Sequence, residues 1–466
     1  MSGKPSLVHV FRTRSAPAAR VRPERSSGLL LYQCAVLGLA LCAIHGNAAI
    51  YLYTQDASLP PKYVYFLLVL LMAPVLWARR GALVAYLLSP FALWAGALVV
   101  LNLVHLAAWP AGADAGAGYL VNQGDSLRAA LVLTRIQYIL VALMLGFVVF
   151  VTPARTYLYA AAVLAVLLPC AVLLDFANPG LFYPPDIEGA VLGRAAAMFI
   201  NPTKAGEALL HVCLLACAVT GLRYRGPLLL LAGAAVLVTF SRSSIMAWGA
   251  VLAIMIVCRA LPRSMAVTAA CAVAALVLGL GSFESYLQSR SEFEGAAGNI
   301  LSRLDFFSSF SFDDDSSEER AGVIKAGWEL FLHNPVFGAG AGSTLFWWHR
   351  GGTHNQLLML AAEYGLFGIG LWLWLLVILW RGRFFAERGL QLAMVFVFAW
   401  MSMFTHQMLD ANTYWLATCA LVSTRAAWTA PGRARQARAP YRRAKWGREA
   451  CRAAGAGERV LEGARP

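Results

Sequence analysis

Charge is what this chain lacks most. Only 13% of its 466 residues are charged, against 59% hydrophobic, and its mean hydropathy is +0.63. A soluble domain averages about 25% charged residues, so most of this chain must sit in lipid. The apolar–polar alternation that a membrane barrel strand needs over about ten residues is missing too. The apolar runs are instead roughly 16 to 25 residues long and read as spanning helices.

A disulfide framework is also missing. Of nine cysteines, Cys34, Cys42, Cys170, Cys213, Cys217, Cys258, Cys271 and Cys419 fall in or at the edges of apolar runs, and Cys451 lies in a basic tail. None falls in a loop expected outside, so no pairing is indicated. His333, His349 and His354 are spaced 16 and 5 apart, which matches no standard metal site. The glycines of "GAGAG" at 338–342 follow no strand, so they are not a dinucleotide fingerprint but a flexible or tightly turned connection. The basic residues before the first apolar run end in no small-residue cleavage site, so no cleavable leader is expected.

Positive charge is present, with 38 Lys and Arg against 24 Asp and Glu and a formal net charge of +14. Its placement argues against nucleic-acid binding. Arg12, Arg14, Arg20, Arg22 and Arg25 precede the first apolar run, Arg79, Arg80, Arg223, Arg225, Arg259, Arg263, Arg381 and Arg383 lie in short loops, and a further group gathers after Trp428. Such alternation with apolar runs is the positive-inside bias. It gives an all-α polytopic membrane protein of about 12 transmembrane helices, with both termini cytoplasmic. The expected spans are residues 28–50, 63–78, 82–105, 130–150, 156–174, 205–221, 226–240, 244–259, 264–282, 355–380, 389–409 and 413–428. Three parts follow: a basic tail at 1–27, a transmembrane domain at 28–428 with one large outer segment at 283–354 between spans 9 and 10, and a basic tail at 429–466.

The outer segment closes on "SSEERAGVIKAGWELFLHNP", which reads as a helix: Ser316 and Glu319 fit a capping box, and Asn334–Pro335 stops it. Arg320, Ile324, Gly327 and Phe331 then share one face, so Arg320 points with the apolar residues toward the protein or the membrane surface. Next comes "GGTHNQLLMLAAEYGLFGIG", polar for a few residues and then apolar. On one continuous helix His354, Ala361, Gly365 and Gly368 lie near one face, and Ala361-x3-Gly365 lets a neighbouring helix approach closely. His354 then stands at the mouth of that contact, with Asn355 capping or bonding beside it. Glu363 must find a partner or a wet cavity. Arg135, inside another span, must snorkel or pair. His406 and Asp410, at i and i+4, can line the same cavity as His354.

"HNQLLMLAAEYGLFG" has the form H-N-x9-G-x-x-G and resembles the signature of the O-antigen ligase and polymerase superfamily. That signature is His, then Asn, Ser or Gln, nine residues, Gly, two residues, then Gly, Thr or Tyr; His354, Asn355, Gly365 and Gly368 match each position. Pro335, Gly338, Gly340 and Gly342 resemble the family's Pro-x-x-Gly-x-Gly-x-Gly stretch. "GRAAAMFINPT" and "TFSRSSIMAWG" resemble its two earlier arginine-bearing segments, although Thr203 stands where an asparagine is usual.

The resemblance implies a metal-independent glycosyltransferase of the bacterial inner membrane, without cofactor, working at the periplasmic face. Its donor is an undecaprenyl-diphosphate-linked glycan and its acceptor a hydroxyl of lipid A-core, of another lipid-linked glycan or of a protein. In this reading His354 is the catalytic base. Arg194, Arg242 and Arg320 bind the diphosphate through bidentate hydrogen bonds, and Asn355, Gly365 and Gly368 support the site. Membrane lipids are the remaining partner. A lipid-linked glycan flippase or another transporter is the rival of a different class. A transporter needs repeated halves and charges near the midplane, whereas here the polar candidates gather at one face.

Overall fold

Helix follows helix along the chain because apolar backbone in lipid must satisfy its own hydrogen bonds. The computed structural model describes residues 27–108, 125–183, 193–262, 264–265, 267–268, 315–345, 347, 352–382, 385, 387–406, 408–409 and 414–424. The helices are α1 (Ser27–His45), α2 (Ala48–Gln55), α3 (Pro61–Ala78), α4 (Leu83–Leu87), α5 (Pro90–Ala108), α6 (Asp125–Val151) and α7 (Ala154–Ala177). They continue with α8 (Pro202–Val219), α9 (Leu222–Val238), α10 (Arg242–Val257), α11 (Asp315–His333), α12 (Gln356–Arg381), α13 (Arg388–Met401) and α14 (Tyr414–Thr424). Seven of them, α1, α3, α5, α6, α7, α8 and α12, are long and apolar enough to cross a membrane. The expected span at 264–282 lies almost wholly outside the described residues, as do both tails and residues 283–314.

Three expected spans are corrected. The run at 28–50 breaks at Gly46–Asn47, where Asn47 takes a left-handed φ of 54°. The run at 82–105 breaks at Ser89, before Pro90 starts a new helix, as proline does at a first helical position. The run at 389–409 ends as a helix at Met401, and residues 402–406 form turns that meet the start of α12 through Ser402 and Gln356. Each break falls at a few polar residues inside an otherwise apolar run, so the apolar count alone hid it.

The centre of the bundle is α8, buried without interruption from Ala205 to Cys217 and packed against α7, α9, α10 and α13. A helix this largely apolar, with its polar Glu207 and His211 also buried, belongs inside. At its first turns Gly206 meets Ser244 of α10, and a Cβ at 206 would overlap the Ser244 hydroxyl. Between helices in lipid there is little hydrophobic gain, so such close packing of small residues holds the bundle. By contrast α3 buries one stripe, Tyr65, Leu68, Met72 and Val75, and leaves Phe66, Leu67, Leu70 and Trp77 exposed, the pattern of a helix at the rim. Far from the site, Arg225 at the start of α9 pairs with Glu387 and donates to the Ala260 carbonyl at 3.0 Å.

Candidate active site

The motif stretch is not one continuous helix. Asn355 is the N-cap of α12, its Oδ1 accepting the Leu358 N–H at 2.9 Å, the ordinary device for an unmet N-terminal donor. His354 therefore precedes the helix, in a turn with φ 49°. The shared face of His354 with Ala361, Gly365 and Gly368 is corrected accordingly. Further along α12, Gly365 has φ 62° and ψ −143° and breaks the helix, a conformation essentially reserved for glycine.

The partner across the break is the chain's own Pro335–Gly340 stretch, not a neighbouring helix. Leu366 N–H donates to the Pro335 carbonyl at 2.8 Å, Ala339 N–H to Ala362 at 2.8 Å and Gly340 N–H to Glu363 at 3.0 Å. These bonds supply the groups that a broken helix leaves unmet. The fit demands glycine on both sides: a Cβ at Gly365 would overlap the Val336 carbonyl, and one at Gly338 the Glu363 backbone. Beyond the break, a Cβ at Gly368 would overlap the Leu360 carbonyl. Gly338, Gly340 and Gly342 all have positive φ, so "GAGAG" is a tight turn.

A buried polar group stabilises the break from behind. Glu363, fully buried, pairs with Arg135 of α6, itself 5% exposed. Thr344 Oγ1 donates to Glu363 Oε1 at 2.5 Å, Arg135 donates to Tyr364 Oη at 3.3 Å, and Tyr364 Oη donates to Asn102 Oδ1 at 3.0 Å. His105 Nδ1 accepts the Ala341 N–H at 3.1 Å. Arg135 and Glu363 thus supply each other's counter-charge, which is the condition for keeping them there.

In front of the break residues 402–406 and Met408 meet the motif. Gln356 N–H donates to the Ser402 carbonyl at 2.7 Å, and Gln356 Oε1 accepts the Met408 N–H at 2.8 Å. Asn355 Nδ2 approaches Met403 Sδ at 3.8 Å. This clamp sets His406 beside His354, ring centroids 5.0 Å apart and ring planes at 88°. Gly352 makes room, since a Cβ there would overlap the His406 ring. Burial, then the nearby charges of His354, Lys204 and Arg135, lowers the His406 pKa to about 3, so this imidazole is neutral at ordinary pH. Asp410, coupled to His406 in the sequence reading, lies outside the described residues, as does His349.

The elements that carry the three arginines connect to the motif by two routes. Arg194 Nε donates to the Thr239 carbonyl at 2.9 Å, and Ala195 N–H to Val238 at 3.2 Å. Arg194 is thereby fastened to the turn that leads into Arg242, the first residue of α10. Alongside, Asn201 caps α8 and Ser241 Oγ donates to Thr203 Oγ1 at 3.2 Å, so the two helix starts stand together. Trp400 Nε1 donates to the Ser243 carbonyl at 2.9 Å, tying α10 to the end of α13 and so to the His406 turn. Arg320 comes on α11, whose Gly327 packs against Leu358 and Thr353. Its neighbours correct one detail of the expected face: Val323, Ala326 and Leu330 are buried with Gly327, while Ile324 is 40% exposed.

A family model described as O-antigen ligase matches residues 227–373. Residues 227–373 are thus similar to an O-antigen ligase domain. No curated protein matches it. The O-antigen ligase domain includes Arg242, Arg320, His354, Asn355, Gly365 and Gly368, and leaves out Arg194 and His406. Its members are glycosyltransferase-like enzymes of the ligase and polymerase type, which implies lipid-linked glycan substrates. Lys204 and Glu207 had gone unread in the sequence. Glu207, fully buried, accepts from Trp415 Nε1 at 2.5 Å and bonds Tyr414 and Thr405, the residue before His406. An acidic residue in an apolar run was the available signal. Among the described residues no cluster of three His, Cys, Asp or Glu is placed to hold a metal ion.

Proposed function

We propose that the protein is an inner-membrane glycosyltransferase that moves a glycan from undecaprenyl diphosphate to an acceptor hydroxyl at the periplasmic face, ligase-like, with lipid A-core as acceptor. The observation that carries this reading is His354, held in a strained turn beside a neutral His406, with the Arg194–Arg242 unit tied to the same turn through Trp400. In this mechanism His354 takes the proton of the acceptor hydroxyl as its oxygen attacks the anomeric carbon. The bond from that carbon to the diphosphate oxygen breaks, and undecaprenyl diphosphate leaves with the bonding electrons. Arg194, Arg242 and Arg320 meet the charge that grows on it. His354 then releases the proton to solvent or to the departing diphosphate. Both termini lie in the cytoplasm, so the 283–354 segment, with the starts of α8, α10 and α12, faces the periplasm.

Reconstitution in liposomes with undecaprenyl-diphosphate-linked glycan, with and without lipid A-core, tests the assignment. Glycan on lipid A-core establishes the ligase. Longer lipid-linked glycan without lipid A-core establishes a polymerase instead, and glycan on a supplied polypeptide a protein transferase. Movement of labelled donor across the vesicle wall with no new glycosidic bond would replace the transferase reading by a flippase.

A further inference from the structure

The helix α11 has three faces where two would suffice. At about 100° per residue, Val323, Ala326, Gly327, Leu330 and Phe331 fall on one arc, and all are buried. Lys325, Glu329 and His333 fall on a second arc, the polar one. Ile324, Trp328 and Leu332 fall on the third, between them, and are 40%, 51% and 57% exposed. A helix resting on a protein in water needs a buried face and a wet face. A third, apolar and open, calls for a third environment.

The open face does not end with the helix. The chain leaves α11 through Asn334–Pro335 into Val336 and Phe337, both exposed. The Phe337 ring stacks on Phe367 of α12, centroids 5.6 Å apart and planes at 23°. Phe367 and Leu366 are exposed on α12, one of the helices able to cross a membrane. Below them an apolar groove of about 710 Å³ runs between α5 and α12, lined by Val104, Val336, Leu366, Phe367 and Trp374. The apolar strip on α11 is thus continuous with the lipid-facing side of a candidate span.

We infer that α11 is an interfacial helix whose Ile324–Trp328–Leu332 face rests in the surface of the bilayer at the His354 end of the protein. Its partner is the headgroup–acyl boundary of the lipid. Tryptophan suits that depth, with an apolar ring and one N–H donor, while Lys325, Glu329 and His333 stay on the wet side. The same helix carries Arg320 and braces Thr353, next to His354. The leaflet surface therefore sets the height of the catalytic turn above the lipid. This inference needs α12 to span the membrane and holds whatever reaction the site performs.

The test is photo-crosslinking of the full chain in phospholipid nanodiscs, with benzoylphenylalanine replacing Trp328, Leu332 or Phe337, and with Lys325 replaced in the same way as the wet-face control. All four side chains are exposed, so the replacements leave the packing intact, which an unchanged elution volume confirms. Lipid adducts, read by intact mass, are expected at 328, 332 and 337 at several times the level at 325. Crosslinked dimers from 328 or 332 would overturn the inference in favour of contact between two copies. Equal or absent lipid adducts at 328 and 325 would overturn it in favour of an aqueous face.

Discussion

His406 stands edge to face against His354, centroids 5.0 Å apart and ring planes at 88°. Two imidazoles so close compete for one proton, and burial keeps it off His406, whose pKa falls to about 3. In the proposed mechanism His354 is the ring that takes and returns the proton, with a neutral imidazole packed against it.

Acid should unfold the protein partly through His406. Its folded pKa of about 3 lies below the ordinary 6.5, so the unfolded chain binds the extra proton first and stability rises with pH. The contribution is complete above about pH 6.5 and declines as the pH falls toward 3, by at most ~1.4 kcal/mol per pH unit for one proton. Denaturant unfolding in detergent between pH 7 and 4.5 should give a shallower pH slope for His406→Gln than for the parent protein. Equal slopes would remove His406 from the account.

Gly365→Ala should be strongly destabilising. The substitution places a side chain at φ 62° and ψ −143° and against the Val336 carbonyl. The backbone strain alone costs about 1–3 kcal/mol, and displacement of the 335–340 turn adds to it. A fall in melting temperature well beyond that of Gly370→Ala, where no atom lies within 4 Å of an added Cβ, is the expected reading.

Arg135 and Glu363 should be inseparable. Arg135→Met or Glu363→Gln alone leaves a buried group without its partner, at a cost of about 3–5 kcal/mol. The double variant should melt above either single one, because no isolated charge remains. If the two single effects simply add, the pair is not the unit described.

Arg194, Arg242 and Arg320 should not tolerate lysine. Lysine keeps the charge and loses the two-pronged bond to phosphate oxygens, so kcat should drop by roughly 10- to 100-fold, short of the 10²–10³ for outright removal of one such donor. Steady-state transfer by each variant, with unchanged KM for the acceptor, is the measurement.

Much of the bundle could be read from apolar runs, and His354 stands out as a candidate from its neighbours in the chain. What could not be read is where those runs break. Gly46–Asn47, Ser89 and Met401 interrupt stretches in which a few polar residues sit among apolar ones. Nor does a local pattern show that Gly365 breaks α12, because the bonds that repair the break come from Pro335 to Gly340, on another segment. The pairing of His406 with His354 depends in the same way on the clamp at Gln356, which joins residues about 50 positions apart. The counter-charge for Glu363 was foreseen as a necessity, but that it is Arg135 of α6 is a fact of packing.

The most direct measurement is glycan transfer by His354→Ala in liposomes that hold undecaprenyl-diphosphate-linked glycan and lipid A-core. We expect the parent protein to form the new glycosidic bond and release undecaprenyl diphosphate, and the variant, eluting and melting like the parent, to do neither within the roughly 10²–10⁴-fold range of a lost general base. Transfer by the variant at the parent rate would contradict the assignment of His354 as the catalytic base.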